Sequence, residues 1–92
     1  MEVAERFNII IKMLGLSRNE FAKAIGMRST QIYSVTNGRN KPSHAMYGRI
    51  IKYFPMINIY YLLNGEGEPF RKFYTIQFED TWQPTQSLSE KS

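Results

Sequence analysis

An all-α fold is predicted by three features of this 92-residue sequence. Apolar residues recur at helical spacing in five segments up to about residue 63. Those segments are bracketed by capping residues on one side and by Gly or Pro on the other. Only one short stretch, residues 73–78, alternates with the period of a strand.

The first segment, Val3 to Leu14, is read as an amphipathic helix. Val3, Phe7, Ile10, Ile11 and Leu14 share one face, and Glu2, Glu5, Arg6, Asn8 and Lys12 fill the other. Gly15 suits its C-terminal stop. Ser17 followed by Glu20 predicts a capping box, with Leu16 and Phe21 as its hydrophobic staple. The second helix then runs from Arg18 to about Ile25, with Phe21, Ala22 and Ile25 inward, and ends at Gly26. A third helix is expected from Ser29 to about Thr36 with two inward residues, Ile32 and Val35, closed by Asn37-Gly38. Pro42-Ser43 opens a fourth, with Tyr47, Ile50, Ile51 and Phe54 as its buried stripe and Pro55 as its end. A short fifth helix, about Asn58 to Leu63, starts from an Asn58 cap and exits through the turn-rich run Asn64 to Pro69. In the remainder, Tyr74, Ile76 and Phe78 fall on one side at strand spacing, Trp82 follows, and the chain beyond Gln83 is polar. The domain organisation is therefore read as a helical body over 1–69 and a C-terminal extension over 70–92, with a strand as its candidate element.

Composition narrows the function. The chain is one domain's worth of sequence with ordinary globular usage, 42% apolar and 22% charged. It has no cysteine, so disulfides, thiolate metal sites and cysteine nucleophiles are ruled out, and a cytoplasmic setting is expected. No apolar run approaches the roughly 20 residues that span a bilayer, so neither a membrane association nor a signal peptide is expected. The net charge is +4, but residues 12–52 alone carry +7, with eight basic residues against Glu20. From Tyr53 onward the balance is −2. A basic half joined to a mildly acidic half suits a surface for a polyanion; a solvated lysine-rich face is the plainer alternative.

Other candidates for chemistry are weak. Glu66, Glu68, Glu79 and Asp80 sit in a turn and a tail with no catalytic partner beside them. Gly65-x-Gly67 lacks a third glycine and follows a helix, so the dinucleotide fingerprint fails. His44, alone near a helix start, suits a partly buried or capping role. Lys23, Arg49 and Lys52 suit solvent faces. No enzyme activity, cofactor or metal site is expected.

Two helices of about eight residues joined at Gly26 are the central pattern. Ala22 is small enough for a second helix to cross close by, and Gly26 permits the turn that sends the chain across. The sequence Ser17 to Phe54 resembles the five-helix phage repressor and Cro family, also called the XRE family. Phe21-Ala22, Ile25-Gly26, Thr30, Ile32, Val35 and Asn37-Gly38-Arg39 carry the resemblance. The run Gly38 to Ser43, then Phe54-Pro55-x-Ile57-Asn58 and Leu62-Leu63-x-Gly65-Glu66-Gly67, is similar to the variant found in phage and mobile-element regulators of gut bacteria. The resemblance covers about residues 4–70 and implies a five-helix, repressor-like bundle.

The resemblance also implies roles. The helix starting near Ser29 enters the major groove of double-stranded DNA. Arg28, Ser29, Thr30 and Ser34 occupy the positions that meet base edges in relatives, bordered by Gln31 and Tyr33. The chemistry is suitable: arginine can hold guanine bidentately, glutamine can pair adenine, and a threonine methyl can meet thymine. Tyr33 lies either on the DNA backbone or against Asn37 and its loop. Ser17 and Arg18 match positions that clamp phosphate, and Asn37, Arg39, Lys41 and Ser43 hold the backbone on the other side. Two departures stand out. Arg28 replaces a frequent serine or threonine cap, which makes Ser29 the alternative cap, with the helix start displaced by one residue. Arg18 replaces a frequent glutamine.

The expected function is a sequence-specific DNA-binding transcriptional regulator, acting by occupancy as a homodimer on a palindromic operator. Tyr74, Ile76, Phe78 and Trp82 are the expected dimerisation residues; the same aromatic extension folding back on its own domain is the alternative. The alternative function is an antitoxin-type module that binds a toxin through that extension, a protein partner, while repressing its own operon.

Overall fold

The computed structural model describes residues 1–71. They form five helices: α1 Val3–Met13, α2 Arg18–Ile25, α3 Ser29–Thr36, α4 His44–Tyr53 and α5 Ile59–Asn64. The all-α expectation holds, and the boundaries agree to within a residue. Tyr74, Ile76, Phe78 and Trp82 lie outside the described residues.

Local chemistry sets the ends. Ser17 Oγ accepts from the Glu20 amide at 3.0 Å, and the Glu20 carboxylate accepts from the Ser17 amide at 2.8 Å, so the predicted capping box is complete. Ser43 and Asn58 cap α4 and α5 by accepting from the Met46 and Tyr60 amides at 3.1 Å each. His44, expected to be partly buried or to cap, is instead exposed as the first residue of α4, because Ser43 already fills the cap position. At the end of α3 Gly38 takes φ +78, and the Gly38 and Arg39 amides bond the Val35 and Ser34 carbonyls at 3.1 and 2.9 Å. This is a Schellman closure, and it turns the basic loop back toward α3.

Phe7, Ile10, Phe21, Ala22, Ile25, Ile32, Val35, Met46, Ile50, Ile57 and Leu62 are among the side chains that form one buried cluster. α1 packs on α3 and α5, and α2 packs on α3 and α4. Val3 and Leu14 only edge the core. In α4 the buried stripe is Met46 and Ile50; Tyr47 and Phe54 are half-buried and Ile51 is 53% exposed. The expected stripe was rotated, because α4 faces α2 through residues four apart and Ile51 lies one position round the helix. Burial raises the pKa of the Tyr47 hydroxyl above its ordinary range, opposed in part by the Arg6 charge. Past α5 the chain returns beside its own earlier course. Ile57 and Phe70 form an isolated antiparallel bridge, flanked by Asn58 N–H to the Pro69 carbonyl at 2.8 Å and Arg71 N–H to the Met56 carbonyl at 2.7 Å.

Two polar residues depart from expectation, and a third bonds the main chain from the surface. Arg6, placed on the solvent side by its charge, is only 8% exposed. Its guanidinium donates to the Met1 carbonyl and to the Leu62 carbonyl near the end of α5, where a cation complements the helix dipole. Thr36 is buried as a third inward residue of α3, its hydroxyl returning to the Ile32 carbonyl at 2.9 Å, so the helix satisfies it internally. Arg49 is exposed as expected, and it also donates to the Ile25 carbonyl at 3.2 Å and so covers the end of α2.

The turn between α2 and α3 depends on Gly26, which takes φ +72 and would place a Cβ 2.9 Å from the Arg49 guanidinium. Gly26→Ala is expected to destabilise the fold by about 1–2 kcal/mol through both the backbone penalty and displacement of Arg49. Gly15, at φ +74 with no atom within 4 Å of a built Cβ, is the control that carries the backbone penalty alone. Equal losses for the two alanine variants in urea unfolding would remove the Arg49 contribution.

Candidate nucleic-acid interface

α3 is a poor helix on intrinsic grounds. Four of its eight residues, Thr30, Ile32, Val35 and Thr36, are β-branched. Tertiary contacts hold it. Ile32 and Val35 are sunk in the core, and Asn8 of α1 donates to the Thr36 carbonyl at 3.0 Å. With one side anchored, the opposite side is left to solvent: Thr30 and Gln31 are exposed, Ser29 and Ser34 half-buried.

The helix begins at Ser29 with Arg28 in the cap position, so the displacement to a Ser29 cap does not occur. A guanidinium has no acceptor to offer. The Gln31 side-chain carbonyl instead accepts from the Arg28 amide at 3.1 Å, and the Gln31 amide returns to the Arg28 main-chain carbonyl at 3.1 Å. This fixes the start of α3 while leaving the Arg28 head exposed. It also commits one lone pair of the Gln31 carbonyl to the backbone, so Gln31 meets any ligand chiefly through its NH2.

A cleft runs along α3 toward the loop that follows it. Thr30, Gln31 and Ser34 line one wall; Asn40, Lys41 and Ser43 line the other. Asn40 was missed by sequence reasoning, although it lies between two expected phosphate contacts. Arg28, Arg39 and Lys41 are exposed, and none is paired with a carboxylate among the described residues. The Ser43 oxygen is used by the Met46 amide, which leaves its hydroxyl hydrogen to donate.

At the other end of the face, Ser17 and Arg18 open α2. The Arg18 guanidinium lies over the Tyr33 ring, 4.6 Å from its centroid. Its Nη1 donates to Thr36 Oγ1 and Asn37 Oδ1, each at 3.4 Å. The Tyr33 hydroxyl donates to Asn19 Oδ1 at 3.2 Å. Asn19 was also missed, because nothing local in the sequence pairs it with a residue fourteen positions on. No group of three or more His, Cys, Asp or Glu side chains able to hold a metal occurs among the described residues. Nor is any helix there long and apolar enough to cross a membrane.

A short helix, anchored by two apolar residues across a glycine turn, thus presents a polar outer side flanked by Arg28, Arg39 and Lys41. The family model described as helix-turn-helix matches residues 9–69. The chain belongs to this family. Its form is that of the XRE, or repressor and Cro-like, helix-turn-helix proteins, which are DNA-binding regulators rather than enzymes. No curated protein and no solved structure matches the chain. In this helix-turn-helix domain α2 and α3 are the two named helices, and Gly26 makes the turn between them.

Proposed function

We propose that this helix-turn-helix protein is a sequence-specific transcriptional regulator that reads the major groove with α3 and acts by occupying an operator. The cleft along α3 carries the reading, because small polar groups of the helix and the basic loop share its walls. Arg28, Ser29, Thr30 and Ser34 are assigned to base edges, with Gln31 at the border through its NH2 donors. Ser17, Arg18, Asn37, Arg39, Lys41 and Ser43 are assigned to phosphates, which fix register without reading sequence. The net charge of +7 over residues 12–52 supports this division by supplying attraction that is independent of sequence. The operator is proposed to be palindromic and bound by a homodimer that self-associates through Tyr74, Ile76, Phe78 and Trp82.

Selection of bound duplexes from random DNA, with the full 92-residue chain, tests all of this. An enriched palindrome is expected, with half-site centres about 34–36 Å apart or a multiple of that. Thr30→Ala and Ser34→Ala are each expected to relax preference at one or two base pairs by about 1–3 kcal/mol. A folded protein that enriches nothing would sink the operator reading. An enriched but asymmetric site would sink the homodimer.

A further inference from the structure

Tyr33 does not line the cleft that holds Thr30 and Ser34. It lines a second hollow, between α1, α2 and α3, together with Leu16, Ser17 and Arg18. There its ring lies under the Arg18 guanidinium at 4.6 Å, and its hydroxyl is spent on Asn19 at 3.2 Å. Arg18 is held a second way, since its Nη1 reaches Thr36 and Asn37 at the end of α3. Its Nη2 and Nε make no hydrogen bond among the described residues. Those two nitrogens carry three N–H groups, of which the Nε–H and one Nη2–H lie parallel along one edge of the planar head. Two parallel N–H groups on one edge match two oxygens of a phosphate. An exposed arginine ordinarily loses side-chain freedom when it takes up such a pose. Here one face and one nitrogen are already engaged by α3, and only the edge suited to phosphate is left.

We propose that Tyr33 is a positioning residue for DNA phosphate: it reads no base, and it holds Arg18 with its Nε–Nη2 edge presented at the start of α2. The consequence is that the phosphate grip and the recognition helix form one unit, because the residues that steady Arg18 are α3's own. This rests on the proposed assignment of Arg18 to a phosphate.

The test is a double-mutant cycle on the full chain, read by anisotropy with the selected duplex and with an unrelated duplex. Tyr33→Leu is expected to weaken both by about two- to fivefold, the range for an exposed cation–π contact. The preferred motif should stay the same. In an Arg18→Ala background the same change should cost less than about 1.5-fold. Tyr33→Phe, which keeps the ring, should stay close to the wild type. Without DNA, the Arg18 side-chain protons of the wild type should resonate upfield under the ring current, and the leucine variant should lose that shift. Absence of the shift in the wild type overturns the proposal even if the leucine variant does not fold. So does an altered base preference in Tyr33→Leu, or an equal loss with and without Arg18. If Arg18→Ala leaves affinity and salt dependence untouched while the shift is present, the phosphate assignment has failed and the proposal falls with it, the Arg18–Tyr33 contact remaining.

Discussion

Phe21→Ala is expected to cost about 3–5 kcal/mol of folding stability. Phe21 is 0% exposed, and its ring stacks on Phe54 at 5.5 Å between centroids with 13° between planes. It stands on α2, the helix that packs against both α3 and α4. Removing the ring leaves a hole between elements whose positions are set elsewhere by capped ends and glycine turns, so little collapse can refill it. Domains of this size have about 5–15 kcal/mol in total, so the variant is expected to be partly unfolded at 37 °C. Urea unfolding followed by far-UV circular dichroism measures the effect. Phe54→Ala is the comparison: its ring is half-buried, and the loss should be smaller. A loss below about 1 kcal/mol at Phe21 would contradict the packing of α2 described above.

The largest functional effect is expected from removing both proposed phosphate grips. Arg18→Ala with Lys41→Ala should flatten the dependence of log affinity on log salt by about two units, close to 0.9 for each phosphate released. Charged hydrogen bonds contribute about 1.5–3 kcal/mol each. The pair should therefore weaken binding by at least about a hundredfold at low salt. The loss should be the same for the selected duplex and for an unrelated one, because phosphates carry no sequence. Neither residue is in the buried core, but Arg18 gives up its contacts with Tyr33, Thr36 and Asn37, so the melting temperature is expected to fall by a few degrees with the domain still folded. Titrations at several salt concentrations on both duplexes give slope and specificity together. A preserved slope, or a loss confined to the selected duplex, would remove both residues from the phosphate group.

Much of this domain can be read locally. Ser17, Ser43 and Asn58 cap because each immediately precedes a helix, Glu20 completes the box from the first turn of α2, and Gly26 and Gly38 end helices because a left-handed residue cannot continue one. The apolar spacing of α1, α2 and α3 finds their buried sides for the same reason. α4 was harder. Met46, Tyr47, Ile50, Ile51 and Phe54 offer more apolar residues than one face can hold, and only the position of α2 selects Met46 and Ile50 over Ile51. Arg6 was misplaced because charge is a sound guide to exposure only when no carbonyl waits inside.

The candidate interface divides in the same way. That α3 is short, polar outside and flanked by Arg28, Arg39 and Lys41 follows from the order of residues. That Arg28 caps nothing with its side chain follows from its chemistry, but that the helix starts at Ser29 regardless depends on Gln31 bonding back. The division of labour inside α3 is not legible at all. Thr30, Gln31, Tyr33 and Ser34 are polar neighbours in one segment, and nothing in their spacing says that Tyr33 turns toward α2 while Thr30 and Ser34 face the basic loop.

By itself, then, the sequence determined the five helices, their caps, the glycine turn and the family, because each depends on interactions between residues a few positions apart. The tertiary structure alone decided which side of α4 is buried, how Arg6 and Arg49 close the ends of α5 and α2, and how Arg18, Asn19, Tyr33, Thr36 and Asn37 come together. Those contacts join residues 14 to 56 positions apart. Such pairs are fixed by how the helices dock on one core, and no local pattern of residues encodes them.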